Sequence, residues 1–548
     1  MKRSMHRLNL LWHTIRHLKP IQISGRVWFR LYRPMPVLRP APARRGKQLE
    51  WAQTAARRQS QFGPDTFHFL GVDGSLAGGW NDMRREKLWL YNLHYFDDLN
   101  ANGATKRTGW HEKLIECWIK SNHPGRGTGW EPYPTSLRIV NWIKWEFAGN
   151  RLSATAVESL ATQARWLSRR LEYHLLGNHL FVNAKALVFA GVFFQGSEAD
   201  GWLSKGCRIL LRQVPEQILP DGGHFELSTM YHALALEDLL DLHNLFRAFA
   251  RTSNAAANTL SAALPIQVKA MQRWLAAMSH PDGEIGFFND ASFHIAPSLQ
   301  ELDAYAARVG LDRQEPQIGT ILLPNSGYIR LDNGPSIALL DVARIGPDYL
   351  PGHAHADTLS FELSVRGKRL LVNSGTSLYG RGSERLRQRG TAAHNTVIVA
   401  GENSSEIWSG FRVARRAFPF GLKVEELGSS TIVTCSHDGY KRLPGQPIHQ
   451  RIFELRGSGA TVIDSVGGGD HSAEARFHFH PDWTVIAAED GKSGTAGLAD
   501  GQLVRWEVER GRLRLDESSY HPEFGTAIPT ACLAVMLISG RSVVHFSW

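Results

Sequence analysis

The hydrophobic period of this chain changes once, near residue 320, from the 3.6-residue repeat of amphipathic helices to the two-residue repeat of half-buried strands. From Leu88 to Leu311, apolar residues recur at helical spacing in Trp110–Ser121, Thr135–Phe147, Ala154–Leu175, Phe181–Phe194, Trp202–Ile218, Thr229–Phe249, Leu260–Met278 and Leu299–Val309. Short connectors rich in Gly, Pro, Asn or Asp separate them. Antiparallel helices so joined either stack as a solenoid or close on themselves, and we expect closure into an incomplete α/α toroid. From Gly327 onward the pattern predicts strands at Tyr328–Leu331, Ser336–Asp341, Thr358–Val365, Leu370–Asn373, His394–Val399, Thr431–His437, Arg451–Glu454, Thr461–Asp464, Arg476–His480, Leu503–Val508, Arg512–Asp516 and Ala531–Ile538. Many short strands with Gly-rich turns predict a large antiparallel β-sandwich. At 548 residues the chain exceeds one ordinary core, and an α+β chain of two domains is expected: a toroid over 86–318 and a sandwich over 319–548, preceded by a segment over 1–85.

That first segment carries the whole charge imbalance. Residues 1–49 hold twelve Lys and Arg and no acid, leaving 50 basic against 52 acidic groups in the rest of the chain. Arg7, His13, Arg16, His17 and Lys19 interrupt any apolar run of the kind a secretory signal needs. Leu8, Leu11, Trp12, Ile15 and Leu18 fall instead at helical spacing with basic residues opposite, and Val27, Trp28, Leu31 and Tyr32 repeat the pattern. Three readings fit: a basic amphipathic helix on an anionic membrane surface, a helix docked on the toroid with a solvated basic face, or an organellar transit peptide. No run of 18 apolar residues exists to span a bilayer. Cys117, Cys207, Cys435 and Cys532 lie far apart without CxxC spacing, which favours neither a disulfide framework nor a zinc knuckle and suits a reducing compartment. We therefore expect a cytoplasmic protein or one peripheral to the inner membrane face, with the periplasm as the alternative.

Chemistry concentrates between Pro351 and Val399. His353 and His355 flank one alanine before a predicted strand, where two residues apart means one face, so both imidazoles are expected to point into one pocket. Neighbouring strands can deliver His355, Asn373 and His394 to one point, as a metal or proton-transfer site requires. Arg381, Arg385, Arg387 and Arg389, offset only by Glu384, make a cationic loop. Its side chains either recognise carboxylate or sulfate bidentately or are simply solvated. In the helical half, Asn178-His179 begins a helix, and Ser228 caps another whose first turn holds Tyr231 and His232. The positive helix end favours an anion there and could lower a phenol pKa to suit a base, while packing plus one hydrogen bond is the alternative for a lone Tyr-His pair and the stronger one taken by itself. Arg138, Asn141 and Trp142 share one turn and suit either a sugar and its carboxylate or a helix contact. His478 and His480 read as packing residues. Nucleic acid is disfavoured, because the folded body has no positive excess and no aromatic residues interleaved with basic ones.

Taken together, Asn178-His179, Tyr231-His232, Gly352-His353-Ala-His355-Ala-Asp357 and His394-Asn395-Thr-Val397, in that order, resemble the heparinase II/III family and its alginate-lyase relatives. The resemblance implies a toroid, a sandwich, a cleft between them, and cleavage of an anionic, uronate-containing polysaccharide by β-elimination. It implies that Asn178 and His179 meet the uronate carboxylate, that Tyr231 and His353 act as base and acid in an order set by the sugar's stereochemistry, and that Tyr379 is a second tyrosine beside them. Arg138, Asn141, His232, Tyr379, Arg385 and Arg389 are the expected substrate contacts. The family's structural zinc would sit on His355, Asn373 and His394. Asparagine is a poor zinc ligand where carboxylate is usual, so either Asp357 substitutes or the histidines form a metal-free cluster. No organic cofactor is implied. With no secretory signal read, a role near capsule or exopolysaccharide assembly is expected. The rival readings are a non-catalytic glycan-binding or assembly factor and a metal-dependent hydrolase using His353, His355 and His394.

Overall fold

The computed structural model describes residues 2–46, 50–249, 254–312 and 318–548. Two helices, α1 (Lys2–Ile15) and α2 (Pro20–Leu31), precede an irregular stretch and a small hairpin of Thr66–Phe69 with Val72–Ser75. The helical half follows as α3 (Lys87–Tyr95), α4 (Thr108–Ser121), α5 (Pro132–Phe147), α6 (Ala154–Arg169), α7 (Gly177–Phe193), α8 (Ser197–Gln217), α9 (Thr229–Ala248), α10 (Ala255–Ala277) and α11 (Leu299–Arg308). Its organising element is α7, which is apolar on every side and buried from Leu180 to Phe193. A helix with no polar face needs neighbours all round, and α5, α6, α8 and α9 supply them in an incomplete α/α toroid. Trp118, Trp142 and Trp145, all buried, fill the space beside it.

The second half is a β-sandwich in which every strand pairing is antiparallel. A five-stranded meander runs Gly319–Leu323, Tyr328–Asp332, Ser336–Asp341, Phe361–Val365, Lys368–Leu371. An eight-stranded sheet begins Pro419–Leu427, Ser430–His437, Ile448–Arg456 and Gly459–Gly467, passes to the last strand Arg541–Ser547, and ends on Leu503–Arg510, Ser493–Gly497 and Thr484–Ala487. A four-stranded sheet orders Arg512–Tyr520, Ile528–Met536, Ala473–His478 and Val397–Val399. Phe361, Phe453, Phe477 and Phe546 from different sheets meet in one core.

Several strands escape the period-two pattern. Pro419–Leu427 is largely exposed at a sheet edge, so no alternation marks it. The region expected to be extended from Thr358 is a turn until Phe361, because Leu359 takes a left-handed conformation (φ 65°) and the Ser360 amide bonds to the Asp357 carbonyl. His353 and His355 therefore lie in a loop and not on a strand.

Several contacts hold the five-stranded sheet against the helical half. The Tyr328 hydroxyl donates to the Leu227 carbonyl at 2.7 Å, fixing the start of α9 on the meander. Residues 279–296, which follow α10, lie on the same sheet: Glu362 accepts from the Phe287 amide at 2.9 Å and pairs with His280, and Arg369 grips Asp282. The Arg451 guanidinium, buried and bidentate on Asp464, also donates to the Leu359 carbonyl at 2.8 Å, so the large sheet braces the turn from behind.

Candidate active site

A cavity of about 1500 Å³ opens between the two halves, and Tyr133, Asn141, Asn178, His179, Tyr231, His353 and Tyr379 all line it. Each half presents its residues from a chain reversal. Leu176 and Gly177 have positive φ (63° and 49°) and turn the chain so that Asn178 and His179 stand at the open end of α7. Leu227 (φ 59°) does the same ahead of α9, where the Ser228 hydroxyl caps the Tyr231 amide at 3.1 Å.

The centre of the sheet-side wall is Asp290, fully buried in the segment after α10. One carboxylate oxygen accepts from His353 Nδ1 at 2.8 Å and the other from His355 Nε2 at 2.8 Å. Arg385 closes on both oxygens as a fork, with Nη2 at 2.6 Å from Oδ2. Burial alone would raise this carboxyl's pKa, yet the Arg385 charge and the two imidazole donors hold it well below the ordinary value. An ionised Asp290 orients the His353 ring through Nδ1, so that whenever the ring is neutral its proton sits on Nδ1, and Nε2 lies 3.7 Å from Glu226. The Glu226 carboxyl is buried, one of its oxygens has no hydrogen-bond partner, and burial raises its pKa.

Tyr231 packs against His353 with ring centroids 4.0 Å apart, and its hydroxyl is 3.0 Å from that of Tyr379. The phenol and imidazole are thus neighbours on one wall and do not oppose each other across the cleft. The lowered phenol pKa expected from the helix start is also overturned. Burial, then the neighbouring Tyr379, pushes the Tyr231 pKa well above its ordinary value, and burial does the same for Tyr379. The first-turn N–H that would favour an anion caps on Ser228 instead, and the hydroxyl lies at the far end of the ring. Both phenols rest protonated.

Asn178 donates one N–H to the Tyr133 hydroxyl at 3.0 Å, which leaves its second N–H for a ligand. His179 lies over Tyr133 and bonds Glu172 through Nδ1 at 3.2 Å. Burial opposes its cation, but Glu172 outweighs burial and raises the His179 pKa. The cations on the cavity floor are already neutralised: Lys185 bonds Asp238 and Asp241 at 2.6 Å, Lys144 bonds Asp241 at 3.0 Å, and Arg57 pairs with Glu237. Asn141, bonded to Asp97 at 2.7 Å, lines the cavity as expected.

Four expected substrate contacts are placed elsewhere. Arg138 is buried over Trp118, bonded to Gln163 and the His94 carbonyl, outside the cavity lining. His232 turns inward to stack on Trp274 and bond the Met271 carbonyl at 2.9 Å. The arginine loop forms α12 (Ser383–Arg389), which buries Arg385 against Asp290 and Arg389 against the Ala354 carbonyl. Only Arg381 and Arg387 of that cluster are exposed, and Arg387 pairs with Glu384.

Of the residues expected near a metal, Asn373 is engaged elsewhere and Asp357 joins the two histidines. Asn373 spends its amide on the Phe287 carbonyl at 2.9 Å and its oxygen on the Asn395 amide at 3.1 Å. His355, Asp357 and His394 bring one ligand atom each within 4.8 Å of one another, all buried. His355 gives its Nε2 proton to Asp290 and His394 gives its Nδ1 proton to the Gly390 carbonyl at 2.8 Å. The two remaining ring nitrogens, 3.0 Å apart, therefore face each other as lone pairs. Two lone pairs at that distance need a cation or a proton between them, and burial lowers both imidazole pKa values, that of His355 to about 4. Two imidazoles and a carboxylate are a donor set that suits zinc.

Asp290, Glu226, Glu172 and Tyr133 were not singled out in the sequence. Glu226 lies inside the polar turn before Ser228 and carried a detectable signal, whereas Asp290 is a lone carboxylate in an irregular segment with no period to mark it.

Residues 142–307 match the heparinase II/III N-terminus family and residues 316–545 the heparinase II/III-like C-terminal family. A heparin-sulfate lyase of Bacteroides stercoris is 25% identical over 316 residues, covering 54% of this chain and 44% of its own, so the chain spans less than half of that relative's length. FtsZ-localized protein C of Caulobacter vibrioides is 26% identical over 460 residues, covering 77% and 74%. A crystal structure of heparinase III superposes with a TM-score of 0.65 at 19% identity, covering 83% of this chain and 76% of that one.

Because the folded state holds the His179 proton more tightly than the unfolded chain, its stabilising contribution is full below about pH 6.5 and is lost as pH rises through the raised value. In a histidine NMR titration, His179 is expected to titrate above the ordinary imidazole value in the wild type and lower in Glu172→Gln, where burial is opposed only by Glu226 and Glu131.

Proposed function

Since the chain belongs to the heparinase II/III family, we propose that it is a polysaccharide lyase cleaving a uronate-containing glycan by β-elimination. The observation that carries this reading is the contact of Tyr231 with His353 in the same cavity as Asn178 and His179. The uronate carboxylate would take hydrogen bonds from the free Asn178 N–H and from the His179 ring, which Glu172 keeps cationic to higher pH. Those donors stabilise the charge that builds on the carboxylate as the C5 proton leaves. His353 Nε2, a lone pair in the neutral ring, accepts that proton; the C5–H electrons become the C4=C5 double bond; the C4–O4 bond breaks, and the Tyr231 phenol protonates the departing O4. Both groups lie on one wall, which favours a sugar whose C5 hydrogen and O4 share a face, as in glucuronate. A zinc ion on His355, Asp357 and His394 would stiffen the wall behind His353 and would neutralise the opposed lone pairs.

A second reading is favoured by one observation. A relative covering 77% of this chain is named for localisation with FtsZ and not for a lyase activity, which fits a glycan-binding or assembly factor with a lyase-like cavity.

The deciding experiment incubates the protein with a panel of uronate polymers, heparan sulfate and bacterial exopolysaccharides included, and follows the ultraviolet absorbance of the unsaturated uronate. Signal from the wild type, reduced about 100-fold or more in Tyr231→Phe and in His353→Ala, is expected. New reducing ends without that absorbance would establish hydrolysis instead, and binding without either would establish the non-catalytic reading. Elemental analysis of the purified protein is expected to find one zinc per chain, retained in Asn373→Ala and lost in His394→Ala; zinc absent from the wild type would exclude the site.

A further inference from the structure

The two N-terminal helices bury one face and leave the other bare. Inward, Thr14 bonds the Val413 carbonyl at 3.3 Å and receives the Trp408 indole N–H at 3.0 Å. Lys19 pairs with Glu216, the buried Gln22 donates to the Tyr349 carbonyl at 3.2 Å, and Phe29 sits under the Arg170 guanidinium at 3.6 Å. The helices are thus docked on both halves of the molecule, and Leu11, Thr14 and Leu18 on their inner side line the cavity.

Outward, Met5, Leu8 and Trp12 follow one another at three- and four-residue steps along α1, Leu8 and Trp12 being 63% and 61% exposed, and Ile15 sits where that row meets the rim of the cavity. Ile21, Ile23, Val27, Trp28 and Leu31 cover one side of α2, where Trp28 and Leu31 are 62% and 76% exposed. Isolated exposed apolar side chains are ordinary, but a row across two consecutive helices marks an interaction surface. Around it Arg7, Arg16, Arg26, Arg30 and Arg33 are exposed with no ion pair among the described residues, and no acid occurs before Glu50.

We propose that this face is a docking site for the surface of an anionic lipid bilayer, the two helices lying in the interface plane. An apolar row rimmed by unpaired cations fits a surface that is apolar beneath and negative at its edge, and tryptophan favours that boundary. No helix among the described residues is long and apolar enough to cross a membrane, which leaves the in-plane arrangement. A second copy of this chain is a poorer occupant, because a twofold contact would set the same cations against each other. Nucleic acid would match the charge and leave the apolar row unused. The proposal does not rest on the chemistry of the cavity, but it sets that cavity directly behind the membrane-bound face.

Flotation of the full chain with vesicles tests it. Recovery with vesicles containing phosphatidylglycerol is expected to exceed recovery with pure phosphatidylcholine by roughly tenfold and to fall as salt is raised. The double variant Trp12→Glu/Trp28→Glu is expected to lose flotation with an unchanged thermal melt, and Leu8→Glu/Leu31→Glu, which spares both indoles, gives an independent repeat. Equal recovery with both lipids, undiminished flotation of both variants, or a wild-type dimer that the variants dissolve would overturn the proposal.

Discussion

The arrangement of the cavity depends on one buried carboxylate. Asp290 has no solvent to stabilise its charge, and an isolated ion in that position would simply take up a proton. It stays ionised because Arg385, equally buried, forks onto both oxygens and two imidazoles donate to the remaining positions. The carboxylate contacts join the segment after α10, the loop of His353 and His355, and α12, and the backbone carbonyl of Asp290 accepts from the Ser228 hydroxyl at the start of α9. Removing one partner of such a buried pair typically costs about 3–5 kcal/mol, so the geometry of the wall and its stability are the same fact.

Around that ion the cavity is arranged by protonation state. The phenols of Tyr231 and Tyr379, raised by burial, rest as proton donors; His353 is held on Asp290 through Nδ1; and Glu172 raises the pKa of His179 beside Asn178. The floor cations are cancelled by Asp238, Asp241 and Glu237, so an acidic sugar is not drawn equally to every wall. A β-elimination needs a proton acceptor, a proton donor and a local positive field at a carboxylate, and the proposed reading assigns these to His353, Tyr231 and the Asn178–His179 pair.

Much of this was legible before the structure. The change of hydrophobic period marked the two halves, and Asn178, His179, Tyr231 and His353 do converge on one cavity. Periodicity reports which face of an element is buried but not what a polar side chain meets once it is inside. Arg138, which read equally as a sugar contact or a helix contact, and His232 are core residues that bond protein partners. Arg385 and Arg389 looked like a solvated or ligand-facing loop and are interior, because α12 folds them beneath the chain. Asn373, expected beside His355 and His394, bonds the Phe287 carbonyl and the Asn395 amide instead, while Asp357 lies next to the two histidines. Asp290, which holds the site together, offered no spacing or neighbour to announce it.

The claim that Asp290 sets the resting state of His353 can be measured directly by nitrogen-15 NMR of the histidine side chains. At a pH where the ring is neutral, the His353 shifts should show a protonated Nδ1 and a bare Nε2, and Asp290→Asn should abolish that preference. A wild-type His353 carrying its proton on Nε2, or one indifferent to the substitution, would contradict the account.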